Sequence, residues 1–256
     1  MNILVCIKRV PDVGARLEVM SGERAIETRN LGFTISPHEE CAVEEAVLLV
    51  EKHGGSGTVL TLGPGDAEEQ LRDSMARGMD RAILLETDGE DWDPVQTASA
   101  IVEVIRMQEI QGFRFDLILF GNESADAGNY QVGIRVAHTL DLPCVAGIKR
   151  IEIREGKVIA RRENATGWEV YQVELPAVVT VKEGLNLPRH PSLRGTMTAR
   201  KKPLERFRPN RGQAALEMVR LRLPAEQGSA AEMLGEGKQA VSRIIEVMEE
   251  LEVLEK

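Results

Sequence analysis

Two segments of this chain combine residue types and spacing that suit an anionic ligand: Ser36-Pro37-His38-Glu39, and Asp126-Ala127-Gly128-Asn129 with Tyr130-Gln131-Val132-Gly133 behind it. In the second, small residues stand just before an expected helix. Unpaired backbone N–H groups and the positive end of the helix dipole there can hold a phosphate without a lysine. Gln131 and Gly133 then fall on the first turn. A plainer reading of the same residues is that Gly128 permits a tight turn and Asp126 caps the helix. Neither standard glycine-rich phosphate motif is present. The first apolar run leads into Lys8-Arg9-Val10-Pro11 rather than GxGxxG, and no GxxxxGK[ST] occurs, so a Rossmann NAD site and a P-loop are disfavoured.

Other chemistry finds less support. Among the histidines, His38 sits at a helix start and is expected to face a pocket, His53 to lie on a polar face, His138 to pack within a helix, and His190 to lie in an exposed Pro-rich stretch. None has a Ser, Cys or Asp partner at a catalytic spacing, so nucleophilic hydrolysis is unsupported. Cys6, Cys41 and Cys144 lie in apolar contexts without CxxC spacing and read as buried thiols rather than zinc ligands or disulfides.

The elements that must position these residues alternate. Ile3–Ile7 is a continuous apolar run of strand length, and Glu39–His53 carries Ala42, Val43, Ala46, Val47 and Val50 at helical spacing. Ser36-Pro37-His38-Glu39 supplies a capping hydroxyl, a proline at the first helical position and a glutamate three residues on. The cycle repeats. Strand Thr58–Leu62, the turn Gly63-Pro64-Gly65 and a helix capped by Asp66 come first, then strand Ala82–Leu85 and a helix opened by Asp93-Pro94. Strand Phe115–Phe120 and a helix Gln131–Leu140 complete it. This order indicates an α/β fold: a doubly wound, mainly parallel sheet with helices on both faces.

In such sheets ligands bind beyond the carboxyl ends of the strands. The candidates are therefore Ser36–Glu39, Leu62 with Gly63, and the loop through Gly133. Gly147–Ile153, Lys157–Glu163 and Trp168–Leu175 then alternate as a small antiparallel insertion. Ala177–Val181 is expected to rejoin the main sheet, and Gly184–Gly212 reads as an extended arm or loop. The stripe from Ser229 to Leu254 predicts a terminal helix that docks on another chain.

Composition sets the class. With 32 basic and 41 acidic residues the net charge is −9, which argues against gripping nucleic acid or an anionic membrane. The chain is 43% hydrophobic, enough for a core, yet only 4% aromatic, so that core must be aliphatic. No leader pattern or bilayer-length apolar run is visible, so a soluble, cytoplasmic protein is expected and the sequons at Asn122 and Asn164 read as chance matches.

Several stretches together resemble the beta subunit of electron transfer flavoproteins: Ile3 to Asp12, Ser36 to Ala46, Gly121 to Asp126, Arg161-Arg162-Glu163 to Glu169, and Leu175 to Val181. Leu187-Pro188-Arg189 and Ala199-Arg200-Lys201-Lys202 extend the match over nearly the whole chain. The resemblance implies an electron carrier rather than an enzyme, paired in a heterodimer with an alpha subunit that holds most of the redox FAD. It implies AMP in this chain, contacted at Cys6, Ser36, Pro37, His38, Glu39, Leu62, Gly63 and Asp126 to Gly133. It implies delivery of electrons from flavin dehydrogenases such as acyl-CoA dehydrogenases, in fatty acid β-oxidation, to a quinone oxidoreductase of the respiratory chain. It also implies a recognition loop within 184–202, with Leu187, Pro188, Arg189, Leu193 at its tip and Arg194, and an arm, 203–256, that docks on the alpha subunit. Arg189 and Arg194 are expected to steer an acidic partner.

The resemblance has departures. Asn164-Ala165-Thr166-Gly167 interrupts the run after the basic pair. Electron-bifurcating relatives hold a second FAD in place of AMP, with a loop resembling Asp-Gly-x-Thr-Ala-Gln-Val-Gly. This chain keeps Asp126, Gln131, Val132 and Gly133, but places Tyr130 where that pattern has alanine, which favours AMP. An ATP-hydrolysing enzyme of the same fold and a nucleotide-sensing protein without a redox partner are the remaining readings. The first lacks its phosphate loop after strand one, and the long arm counts against the second.

Overall fold

The computed structural model describes residues 1–12, 14, 16–223 and 233–253. In chain order the elements are β1 (Asn2–Ile7), β2 (Val10–Pro11), β3 (Phe33–Thr34), α1 (Pro37–His53), β4 (Ser56–Gly63), α2 (Glu68–Arg77), β5 (Arg81–Glu86), α3 (Pro94–Ile110), β6 (Leu117–Gly121) and α4 (Val132–Leu140). There follow β7 (Cys144–Ile148), β8 (Arg150–Arg154), β9 (Lys157–Asn164), β10 (Gly167–Glu174), β11 (Ala177–Val181), α5 (Leu193–Ala199), β12 (Leu204–Phe207) and α6 (Ala240–Glu250).

Seven strands form one sheet in the order β12-β5-β4-β1-β6-β11-β7, with every neighbouring pair parallel. Strand periodicity divides the core in two. Ile3, Val5 and Ile7 of β1 point to one face, among residues of α1 and α2 such as Ala42 and Leu71. Leu4 and Cys6 point to the other, among Ile101 and Ile105 of α3 and Val136 of α4. Because both faces are covered, the strands read as unbroken apolar runs, and the expected doubly wound fold is the one observed.

Local details differ in several places. The helix after β4 is not capped by Asp66; a 3-10 turn over Gly65–Ala67 precedes α2, so Asp66 lies inside that turn. Gly147–Ile153 is not one antiparallel strand: β7 joins the main sheet beside β11, and the antiparallel sheet β10-β9-β8 starts only at Arg150. Gly147, with φ +71°, lets the chain leave the sheet there. The Gly184–Gly212 stretch is not structureless either. It forms α5 and the edge strand β12, which pairs with β5, beyond the 202/203 boundary expected from sequence.

Two compact units divide the chain, Met1–Val219 and Arg220–Lys256. Within the second, a 3-10 turn at Gly237–Gln239 leads into α6, which exposes Val241, Ile244 and Ile245 along one side. The helix ends at Glu250; Ser229, Ala231 and Leu254 of the expected stripe lie outside the described residues. No helix among the described residues is long and apolar enough to cross a membrane.

Candidate functional site

The sheet order puts β4 and β5 on one side of β1 and β6 on the other, so the winding reverses between β1 and β6. Beyond the carboxyl ends of strands, at that reversal, an open α/β sheet leaves a crevice. The three strand ends singled out in the sequence belong to β4, β1 and β6, which are adjacent, with Ile7 beside Thr61 and Cys6 beside Phe120.

Glu39 braces the floor. It is 5% exposed, and its carboxylate accepts the Lys8 N–H at 2.8 Å and the Ser36 N–H at 3.0 Å. That ties the start of α1 to the end of β1. Burial pushes its pKa up to about 8, against the lowering effect of its hydrogen bonds and of Lys8. Gly121 is required by this arrangement, since a Cβ there would stand 2.6 Å from Glu39 Cγ.

Around the rim, the Ser36 hydroxyl donates to the Glu123 carbonyl at 3.2 Å. His38 accepts the Glu183 N–H at Nδ1, 2.8 Å, and presents Nε2 to the Glu123 carboxylate at 3.2 Å. An Nδ1 that accepts fixes the neutral tautomer with its proton on Nε2. Hydrogen bonding to Glu123 raises the Tyr130 phenol pKa, and a Cβ at Gly128 would lie 3.7 Å from Glu123 Oε2 and 4.0 Å from the Tyr130 ring. Lys8 Nζ lies 2.5 Å from Asp126 Oδ2. Burial opposes the Asp126 charge, but the Lys8 charge and hydrogen bonds from Lys8, Ser124 and Ala127 outweigh it and hold the carboxyl below its usual range.

Helix α4 starts at Val132, so Asp126 is not its cap, and the small residues occupy a separate turn in which Gly128 has φ +54° and Tyr130 φ +56°. The N–H groups of Gln131, Val132 and Gly133, at the start of α4, have no intrahelical partners. Gly133 lets α4 approach closely: a Cβ would meet Thr180 Cγ2 at 3.0 Å and the Phe120 ring at 3.1 Å. Asn122, next on the chain after β6, accepts the Thr180 hydroxyl at 2.8 Å.

Some predicted residues turn inward. Cys6 packs in the core among Leu4 and Leu60, and burial pushes its thiol pKa well up, so its side chain is closed to a ligand. Leu62 is half-buried and Gly63 buried at the end of β4; Pro37 opens α1. Cys144 is exposed rather than buried, and His138 is exposed rather than packed, each on the outer side of its element. Lys8 and Glu123 join the crevice without having been selected from the sequence. The signal was there: each is the first or second charged residue after a continuous apolar strand.

Leu187 and Leu193 are 90% and 89% exposed, so Leu193 does not tuck beneath its own segment; it opens α5, capped by the Ser192 hydroxyl at the Gly195 N–H. Pro188 is half-buried and Arg194 exposed. Arg189 does not project as a steering charge: its guanidinium is spent on Glu44 and Glu51 of α1. A shallow groove of about 680 Å³ runs elsewhere, between α3 and α4, past Val102, Met107 and Ile110.

Residues 24–211 match the family described as the electron transfer flavoprotein domain. The chain belongs to the electron transfer flavoprotein family. It is 39% identical over 207 residues to the electron transfer flavoprotein subunit beta of Bacillus subtilis (strain 168), covering 80% of this chain and 78% of that one. To the subunit of the same name from Syntrophomonas wolfei it is 32% identical over 97% of this chain and 96% of the other. The Caffeyl-CoA reductase-Etf complex subunit CarD of Acetobacterium woodii is 31% identical over 80% of this chain and 77% of its own. Electron transfer flavoprotein beta subunits are electron carriers rather than enzymes.

Proposed function

We propose that this chain is the beta subunit of a heterodimeric electron transfer flavoprotein, partnered by an alpha subunit that holds most of the redox FAD. In this reading it works in the cytoplasm and carries electrons from flavin dehydrogenases, such as acyl-CoA dehydrogenases, to a quinone oxidoreductase. The observation that carries it is the family match, together with the adjacent ends of β4, β1 and β6, where the winding of the sheet reverses.

The residues fit AMP. First-turn amides of α4 at Gln131 to Gly133, assisted by Lys8, suit the phosphate, and the carboxylates of Asp126 and Glu123 are acceptors of the kind a ribose needs. Gly128 and Asn129 shape the turn, and Ser36 and His38 hold Glu123 in place. FAD supplies the one- and two-electron chemistry when bound; this chain's part is to cover and orient it while Glu39 keeps the crevice floor fixed.

A second reading, a bifurcating subunit with FAD in place of AMP, is favoured by the similarity to the CarD subunit and by Asp126, Gln131, Val132 and Gly133. Tyr130 stands against it, because it is bulkier than the alanine that the bifurcating pattern has at this position. The test is co-expression with the alpha subunit, a visible spectrum, and chromatography of the extracted nucleotides. One FAD and one AMP per heterodimer is the expected result. Two FAD without AMP favours the second reading, and a colourless protein that turns over ATP defeats both.

A further inference from the structure

Between Asn186 and Leu193 the chain inverts the polarity of an ordinary surface loop. Asn186 and Arg189 turn their polar groups inward onto α1, while Leu187 and Leu193 stand almost wholly in solvent. Asn186 Nδ2 donates to the Cys41 carbonyl at 3.0 Å and to Glu45 at 2.9 Å. The Arg189 N–H and guanidinium both bond the Glu44 carboxylate at 3.0 Å, and Nη1 reaches Glu51 at 2.7 Å. Glu44 is only 7% exposed at its side chain, so this is a forked, largely desolvated pair rather than a loose surface contact. Further on, a Cβ at Gly195 would stand 2.4 Å from the Ala76 carbonyl, and Arg72 holds the Ala199 carbonyl at 2.7 Å, so α5 lies directly on α2.

We propose that Arg189, clamped on Glu44 and Glu51, is a positioning residue that fixes the register in which Leu187 and Leu193 meet a partner flavoprotein. This rests on the dehydrogenase partner proposed above and on the recognition loop that the family resemblance implies. An apolar side chain on a free loop loses the freedom of the whole loop on binding, whereas one held in advance does not. A guanidinium already forked onto two carboxylates has little left to offer a partner. Arg189 therefore acts through the leucines, not by touching the dehydrogenase.

The test uses the heterodimer, with an acyl-CoA dehydrogenase and its acyl-CoA substrate as electron donor. Rates are measured against dehydrogenase concentration for Arg189→Gln, Arg189→Lys, Leu193→Ala and the Arg189→Gln/Leu193→Ala double variant. Arg189→Gln is expected to raise the half-saturating concentration about tenfold, with maximal rate and flavin spectrum unchanged, and to speed amide exchange across residues 184–198. Arg189→Lys should recover only part, since lysine lacks the fork. The double variant should lose less than the product of the single losses. Faster exchange with an unchanged half-saturation, or losses that multiply in full, overturns the clamp. Half-saturation unchanged in Leu193→Ala overturns the docking role itself, and this proposal with it. Should Arg189→Gln fail to fold, Glu44→Gln/Arg189→Gln leaves no buried charge unpaired and carries the same titration.

Discussion

Glu39 reaches from the first turn of α1 to the backbone of Ser36 and Lys8, and its cost of burial makes its effect on stability depend on pH. An unfolded glutamate ionises near 4.5, whereas this one is pushed up to about 8. Between those values the folded chain keeps a proton that the unfolded chain has released, so stability falls as pH rises. The contribution is whole below about 4.5 and is lost as pH climbs through 8. Glu39→Gln cannot titrate. Its denaturation midpoint should therefore change less between pH 5 and pH 8.5 than that of the parent, and parallel slopes would show that Glu39 is ionised throughout. The same scale explains why Arg189 and Arg194 are not equivalent: one charge is consumed by α1 and the other is left to solvent.

At the level of elements, the start of α4 and the turn before it behave as separate parts. Gly128 donates its N–H to the Ser124 carbonyl from a left-handed backbone, which a β-branched residue adopts only at a cost of roughly 1–3 kcal/mol. Gly128→Val should therefore distort the turn that carries Asp126 and reduce the AMP retained per heterodimer, while FAD content stays at the parent level. Extraction and chromatography check this; equal AMP retention would remove the turn from the nucleotide site. Helix α3 shows the complementary case, in which local chemistry suffices. Asp93 caps it by accepting the Val95 and Gln96 N–H groups at 2.8 Å, and its second oxygen accepts the Leu216 N–H at 2.8 Å, so one side chain starts a helix and anchors a later segment.

For the whole molecule, both core clusters lie within Met1–Val219, and Arg220–Lys256 forms its own unit in which α6 keeps apolar side chains exposed. Burying several of these at about 1.5–3 kcal/mol each is enough to hold the arm against a second chain. A chain ending at Val219 should then unfold cooperatively on its own yet bind the alpha subunit at least tenfold more weakly than the full chain. Thermal melts and a titration with the alpha subunit decide it. A truncated chain that binds equally well would take the arm out of the interface.

The parallel, doubly wound core was legible in the sequence because each strand buried on both faces is a continuous apolar run, and because Ser36-Pro37 and Asp93-Pro94 mark their helix starts chemically. The three strand ends of the crevice followed from the same pattern. The tertiary structure alone decided what long-range pairing controls. Phe207 and its neighbours became an edge strand only because β5 offered a free edge, and Gly147 split a seemingly single strand between two sheets. Cys144 and His138 lie outside although their neighbours are apolar, since alternation along an element, not local composition, sets which side faces the core. Arg189 looked like a steering charge because nothing within a few residues of it is acidic. Its partners, Glu44 and Glu51, are some 140 positions away and meet it only when the segment folds back on α1.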